Sequence, residues 1–245
     1  MKNSNKLLST TFTLVSFLLI SSSFSSYASL CGQDDRKPSQ NLKVAKLVKE
    51  VKSLKGCSAA LIGKNCLITA GHCRGHFKYA KFSTWNKTNI AENVYQLVKG
   101  SVYGHNDLYD HDWSVFNVQK NDITGKYPGE VGPSYQVDFS KPEVSTPVRV
   151  SGYGYSSNDL RYTQQTSTGI ITKIDGEATV IYHNVDATHG NSGSGLINEE
   201  NGKLIGVHFK GGCRKNNKGS NKATSIFYNQ KLNKAISICL SGTFK

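Results

Sequence analysis

The stretch HGNSGSG, residues 189–195, is a glycine-rich turn that holds Ser192 between small residues. Short apolar runs follow at Leu196–Ile197 and Leu204–Val207, and such runs are typical of neighbouring strands. Small flanking residues let a substrate carbonyl approach the hydroxyl, and they let backbone N–H groups point at the same spot. The stretch therefore indicates a nucleophile with an oxyanion hole, although Gly/Ser/Asn turns also join strands that carry no chemistry.

The first 28 residues have the pattern of a cleaved secretory signal. Lys2 and Lys6 precede an apolar segment from Leu7 to Ile20, and small residues flank a cut after Ala28. The apolar segment is shorter than the about 20 residues that a membrane-spanning helix needs. No later segment is long enough either, so we expect a secreted or periplasmic protein without a membrane anchor after signal removal.

The composition indicates a basic protein. The chain has 245 residues and a formal net charge of +13, and its lysines are spread throughout with one denser run at Lys210–Lys222. Such a surface favours solubility, and it also attracts acidic surfaces or polyanions. Because the chain has no nucleic-acid motif and no interleaving of aromatic and basic residues, we expect no nucleic acid among its partners.

The cysteine count predicts a disulfide framework. Six cysteines, an even number in a chain with an export signal, predict three disulfides. The nearest sensible pair is Cys57 with Cys73, which would join two neighbouring strands. Spacing alone leaves the other pairs open.

A candidate general base follows the apolar strand Leu67–Ala70. That strand ends in Gly71-His72-Cys73, and a histidine just past a strand end, beside a cysteine that can lock it, is well placed for proton transfer. An ordinary loop histidine is the alternative. His76 makes a His-x-x-x-His pair, but it lacks a third ligand and the glutamate of the helical zinc motif, so we expect no metal.

A candidate acid begins the next strand. Val115–Val118 alternates like a half-buried strand, and Asp112 and Trp113 stand at its start. A carboxylate beside buried aromatics is costly unless it has a hydrogen-bond partner, and a histidine would supply one. The alternative is a solvated aspartate, as we expect for Asp107 and Asp110.

The middle of the chain indicates a connection between two lobes. Residues 120–147 hold all but one of the prolines, with glycines among them. Later apolar runs at hairpin spacing predict strands, and Asn229–Cys239 has apolar residues at helical spacing. Residues 41–54 fit either a short helix or a strand near Val44–Val48.

Three motifs together resemble the trypsin-like serine proteases. The order His72, Asp112, Ser192 is that of chymotrypsin and differs from the orders of subtilisins and α/β-hydrolases. The resembling segments are LITAGHC at 67–73, DWSV at 112–115, GNSGSG at 190–195, CGQDDR at 31–36 and GVHF at 206–209. The third, fourth and fifth are similar to the bacterial glutamyl endopeptidase branch. The resemblance covers about residues 31–240.

This resemblance implies an all-β fold of two six-stranded antiparallel β-barrels with a C-terminal helix. The first barrel would span residues 29–125 and carry His72 and Asp112. Residues 126–147 would connect it to a second unit, 148–245, that carries Ser192 and the terminal helix. Under the resemblance, Val44–Val48 is a strand.

The implied activity is that of a serine endopeptidase acting through an acyl-enzyme. His72 would accept the proton of Ser192, Asp112 would orient the imidazole, and the N–H groups of Gly190 and Ser192 would bind the oxyanion. We expect a monomer that needs no cofactor and acts on proteins or peptides. The alternative is a catalytically inactive, protease-like module that binds polyanions.

The resemblance also bears on the disulfides and on activation. It implies that Cys57–Cys73 braces the histidine loop, and it suggests the pairs Cys66–Cys239 and Cys31–Cys213. Asn191 stands where the family carries an aspartate. Activation through an aspartate–ammonium ion pair is therefore not expected.

Two specificities compete in the sequence. Asp186 lies six residues before Ser192, the spacing of the aspartate that selects Arg or Lys in trypsins. His208 matches the histidine that recognises glutamate in glutamyl endopeptidases, but Ala187 replaces the small hydroxyl residue that assists it. We therefore expect Arg or Lys to be slightly favoured over Glu. The expected substrate-binding residues are Asp186, Ala187, His189 at the rim, His208 and Gly211.

Overall fold

The computed structural model describes residues 29–82, 90–107, 111–155, 160–214, 216 and 218–242, and the predicted signal segment 1–28 lies outside them. The described part is mainly antiparallel β-structure. Its strands are Lys37–Pro38 (β1), Val44–Val48 (β2), Cys57–Leu61 (β3), Cys66–Thr69 (β4), Tyr79–Phe82 (β5), Val94–Gln96 (β6), Tyr103–Asp107 (β7), His111–Asn117 (β8), Pro147–Gly152 (β9), Gln165–Asp175 (β10), Val180–His183 (β11), Gly195–Asn198 (β12), Leu204–Lys210 (β13) and Asn221–Ser225 (β14). Its α-helices are Pro128–Val131 (α1) and Gln230–Ser241 (α2).

The C-terminal sheet closes into a barrel. Its strands follow the order β1-β10-β11-β14-β13-β12-β9, and an additional pairing of β9 with β10 closes six of them. Alternation on β9 explains the core, because Val148 and Val150 are buried while Arg149 between them is partly exposed. These valines pack with Leu196 and Ile181 inside the barrel.

The N-terminal sheet curls but does not close in the same way. Its seven strands follow the order β6-β5-β2-β3-β4-β8-β7. Within the described residues, the segment after β6 meets the segment after β8 only at an isolated bridge between Leu97 and Val118, while β8 itself pairs with the end strand β7. The all-β prediction with a terminal helix is confirmed, and this curled seven-stranded sheet takes the place of the expected first six-stranded barrel.

Helix α2 returns from the barrel to the N-terminal sheet. Asn229 caps its N-terminus through Oδ1, which accepts a hydrogen bond from the N–H of Leu232 at 2.9 Å, and Gly242 caps its C-terminus with φ of 70°. Its buried face packs on β4 and β8, and the disulfide Cys66–Cys239 fastens it there. None of the helices in the described ranges is long and apolar enough to cross a membrane.

The helix cap gives a first prediction. Asn229→Ala leaves the N–H of Leu232 without its acceptor and should lower the free energy of unfolding by about 1 kcal/mol. Asn229→Ser keeps an acceptor and should retain most of that stability. Urea unfolding of both variants measures the difference, and equal losses would show that capping is not the cause.

Candidate active site

Asp112 and His72 form a hydrogen-bonded pair where the two sheets meet. The buried Asp112 carboxylate accepts the backbone N–H of His72 at 2.8 Å through Oδ1, and its Oδ2 lies 2.7 Å from His72 Nδ1. A carboxylate accepts only, so Nδ1 carries the proton and Nε2 is left as the base. The buried acid is thus satisfied by a histidine.

A short 3₁₀ turn, Gly71–Cys73, holds His72 against β8. A Cβ on Gly71 would lie 1.7 Å from the carbonyl oxygen of His105, so only glycine lets the turn pack against β7 at this point. The carbonyl of Asp112 accepts a hydrogen bond from Thr224 Oγ1 at 3.2 Å, which ties the pair to the barrel. Local packing from both sheets therefore fixes the imidazole.

Ser192 lies against the same turn. Its carbonyl accepts the N–H of Ser58 at 2.8 Å, and the Sγ of Cys73 lies 3.9 Å from that carbonyl oxygen. Both Ser192 and His72 are half-buried, so a substrate can reach them. The structure thus brings the predicted base, acid and nucleophile to one junction.

Two left-handed glycines shape the nucleophile turn. Gly190 has φ of 99° and Gly193 has φ of 87°, and a Cβ on Gly190 would lie 2.4 Å from the carbonyl oxygen of Tyr153. Asn191 and Gly193 donate their N–H groups to backbone carbonyls, whereas those of Gly190 and Ser192 donate to no described residue. Free N–H groups around a left-handed residue form an anion-binding nest, which is the arrangement an oxyanion needs.

Ser58 supports this turn, a role that the sequence analysis missed because only its place in a strand could be predicted. Its Oγ donates to the carbonyl of Gly190 at 2.8 Å and accepts the N–H of Tyr153 at 2.8 Å. Its backbone N–H also donates to the carbonyl of Ser192. Ser58 therefore holds both Gly190 and Ser192, the two residues whose N–H groups are free of described partners.

Asp186 is used by the N-terminal segment. Its Oδ1 accepts the N–H of Cys31 at 2.6 Å and its Oδ2 accepts the N–H of Asp35 at 3.0 Å. Burial raises the pKa of this carboxyl, and the two backbone N–H groups oppose that effect. The expectation that Asp186 forms the base of an Arg- or Lys-binding pocket lacks support here, because both oxygens already have partners.

Residues 29–36 form a strap, which we call the pocket strap, between two loops of the barrel. Ser29 exchanges backbone hydrogen bonds with Ala187 at 2.9 and 3.3 Å, and its Oγ accepts the N–H groups of Gly212 and Cys213. The disulfide Cys31–Cys213 adds a covalent link. The strap therefore joins loop 186–188 to loop 211–213.

Arg36 ends the strap beneath the nucleophile turn. Its buried guanidinium donates to Thr188 Oγ1 at 2.9 Å and to Gln165 Oε1 at 2.7 Å, and it pairs with Asp34 at 2.6 Å. Thr188 accepts the N–H of Asn191 through its carbonyl, so Arg36 supports the turn that carries Ser192.

Two buried histidines lie behind the predicted pocket. His208 Nδ1 is 3.2 Å from His183 Nε2. Burial and, to a smaller extent, the nearby His72 lower the pKa of His208 to about 4, although Asp112 opposes both effects. Burial, and then His208, keeps the pKa of His183 well below its usual range. Both rings are therefore neutral at pH 7, and His183 had no signal in the sequence.

The remaining predicted pocket residues lie on the loops beside the strap and on the nucleophile turn. Ala187 is buried in the bridge to Ser29, and His189 is exposed on the turn, where its carbonyl accepts the N–H of Tyr155. Gly211 is exposed, and a Cβ there would lie 2.5 Å from the Cβ of Ser29. A side chain at position 211 would therefore push against the strap.

The structure contains three disulfides, the number predicted from six cysteines. They are Cys31–Cys213, Cys57–Cys73 and Cys66–Cys239, the pairs that the resemblance suggested. The sulfur atoms of Cys57 and Cys73 lie within 4.8 Å of a ring nitrogen of His72. Because these sulfurs are bonded to each other, they offer no thiolate to a metal.

The chain matches one protein-family model and is similar in fold to several solved structures. The family model described as Trypsin matches residues 32–232. A solved Glu endopeptidase in complex with MPD is 19% identical with a TM-score of 0.69, over 86% of this chain and 99% of that chain. The protease Anisep from Arthrobacter nicotinovorans is 15% identical with a TM-score of 0.66, over 84% and 99%.

A solved structure of HBP is 16% identical with a TM-score of 0.65, over 84% of this chain and 96% of that chain. No curated protein matches the sequence. At these identities the solved structures show a shared fold.

The strap gives a second prediction. Arg36→Met leaves Thr188 and Gln165 without a buried donor and should lower the free energy of unfolding by about 2 kcal/mol. The matched control is Arg149→Met, which removes a partly exposed ion pair with Glu199 and should cost under about 1 kcal/mol. Equal losses in denaturant unfolding would contradict the role assigned to Arg36.

The buried histidine gives a third prediction. The unfolded chain protonates His208 below its ordinary pKa of 6.5, but the folded chain does so only near 4. The unfolded state therefore binds more protons in this window, and stability should fall as the pH drops from 6.5 to 4, by on the order of 3 kcal/mol for this group. Thermal unfolding across this range should show a shallower loss in His208→Gln. The exposed His76→Gln should keep the wild-type slope, and a wild-type slope in His208→Gln would refute the assignment.

Proposed function

Because this chain belongs to the trypsin family of serine proteases, we propose that it is an endopeptidase whose triad is His72, Asp112 and Ser192. Family membership confirms the resemblance seen in the sequence. The observation that carries the proposal is the Asp112–His72 pair, packed on the turn that also contacts the Ser192 carbonyl.

The proposed reaction proceeds by acyl transfer. His72 Nε2 takes the proton from Ser192 Oγ as that oxygen attacks the peptide carbonyl, and Asp112 stabilises the imidazolium that forms. The N–H groups of Gly190 and Ser192 hold the oxyanion. His72 then gives its proton to the leaving amine, and water hydrolyses the acyl-enzyme by the same steps.

For the residue at the cleaved bond, the geometry supports an acidic side chain over Arg or Lys. This reverses the order expected from Asp186, whose carboxylate serves the pocket strap. His183 Nδ1 is buried and has no partner among the described residues. An unpaired lone pair is tolerated better than an unpaired N–H, so His183 donates from Nε2 to His208 Nδ1. His208 then carries its own proton on Nε2 and can donate it to a carboxylate.

Export is part of the proposal. The three disulfides form and persist in oxidising compartments outside the cytosol, and the first 28 residues have the pattern of a secretory signal. Together they support a secreted or periplasmic enzyme.

The nucleophile is tested by Ser192→Ala. The variant should lose about a millionfold in kcat, as triad knockouts do. A fluorophosphonate should label the wild type and leave the variant unlabelled. If the wild type is neither labelled nor active, and instead binds a sulfated polysaccharide in a salt-sensitive way, the inactive polyanion-binding module is correct.

The pocket is tested by profiling cleavage sites in a mixed peptide library. Cleavage should follow Glu in preference to Arg and Lys. His208→Ala should reduce that preference, because it removes the proposed donor. Asp186→Asn should leave the preference unchanged, since the carboxylate binds the strap, and a loss of basic-residue cleavage in that variant would contradict this assignment.

A further inference from the structure

A row of basic side chains crosses the barrel from β10 to β13. Lys173 on β10 pairs with Tyr182 on β11, Tyr182 with Lys222 on β14, and Lys222 with Lys210 on β13. Directly paired residues of neighbouring strands project from the same face of a sheet. At about 4.8 Å per strand, this lysine row extends about 14 Å.

The row concentrates positive charge. Lys173 and Lys210 are exposed, and the Nζ atoms of Lys173 and Lys222 each lie 5.2 Å from the centre of the Tyr182 ring. The ring attracts both ammonium groups and holds each of them beside it. Like charges directly opposite on paired strands destabilise a sheet, yet Lys222 faces Lys210.

None of the described residues forms an ion pair with Lys173 or Lys222. The exposed turn beyond β13 adds Arg214 and Lys218, which are joined by a backbone hydrogen bond of 2.9 Å. An anionic group at this face would therefore relieve the repulsion.

The row begins beside the proposed nucleophile. Lys210 follows His208 by two residues, and the His208 carbonyl accepts the N–H of Gly193 at 2.7 Å. Beyond His208, no described strand pairs with the edge of β13 that faces β12. An extended peptide can add to such a free edge. A peptide whose carbonyl reaches Ser192 can therefore run along residues 209–211 and pass Lys210.

We propose that the lysine row binds acidic side chains of the peptide substrate, at positions away from the cleaved bond. This inference rests on the proposed peptidase function. It extends substrate recognition from the residue at the cleaved bond to several neighbouring residues. The free edge of β13 leads directly to the row, and a peptide backbone can form hydrogen bonds with such an edge. A polysaccharide or nucleic acid has no extended peptide backbone to pair with it, so a peptide is favoured.

The experiment uses fluorogenic peptides that share one cleaved bond. Glu or Gln is placed in turn at each of four positions on either side of that bond. Glu should raise kcat/KM over Gln by about two- to fivefold per favourable position, on one side of the bond only. The gain should shrink in 1 M salt, where the screening length falls to about 3 Å.

The variant Lys210→Gln/Lys222→Gln should bring the Glu-to-Gln ratio close to one. The matched control Lys231→Gln/Lys234→Gln removes the same charge from exposed positions on α2 and should keep the wild-type ratio. A ratio of one in the wild type, or equal loss in both double variants, overturns the lysine row as a substrate site.

Failure of the two proposals is distinguishable. If no peptide is cleaved, the peptidase proposal fails, and fluorescence anisotropy then decides the row. A labelled Glu-rich peptide should bind Ser192→Ala more tightly than its Gln-rich counterpart, and the Lys210/Lys222 double change should abolish the difference. If only a sulfated polysaccharide binds through these lysines, the substrate assignment is wrong.

Discussion

The site depends on one buried carboxylate. Asp112 is 3% exposed, in a position where an unpaired charge would be costly, and it is satisfied twice by the same residue, through the backbone and the ring of His72. This double contact fixes both the position of the turn and the tautomer of the imidazole. Asp112 is the second residue of β8, and its carbonyl accepts a hydrogen bond from Thr224 of the barrel, so the two sheets must dock correctly for the acid to meet its partner.

The pocket depends on a second set of long-range contacts. The pocket strap holds loop 186–188 through Ser29 and Asp186, and it holds loop 211–213 through the disulfide Cys31–Cys213. Arg36 places its guanidinium beneath Thr188. Because the Thr188 carbonyl accepts the N–H of Asn191, this buried arginine supports the turn that carries the uncharged Asn191.

The local features of the candidate site could be predicted from the sequence. The features that depend on which strands pair, and on contacts between distant parts of the chain, could not. His72, Asp112 and Ser192 could be proposed as a triad because each lies in a short motif with its own chemical logic. Asp186 was expected to select Arg or Lys, and its contacts with the strap could not be foreseen, because its partners Cys31 and Asp35 are 155 and 151 residues away in the chain. The contacts of Ser58 could not be predicted either, because its partners are distant in the chain. The lysine row could not be predicted because its members meet only through strand pairing. The curling of the N-terminal sheet likewise depends on which strand β8 pairs with.

The central claim is that Asp112 holds His72 with its proton on Nδ1, so that Nε2 serves as the base. Nitrogen-15 NMR of the histidine-labelled protein at neutral pH tests this most directly. The account predicts a strongly downfield Nδ1–H proton and an unprotonated Nε2 for His72, both lost in Asp112→Asn. A His72 ring with its proton on Nε2 in the wild-type protein would contradict the account.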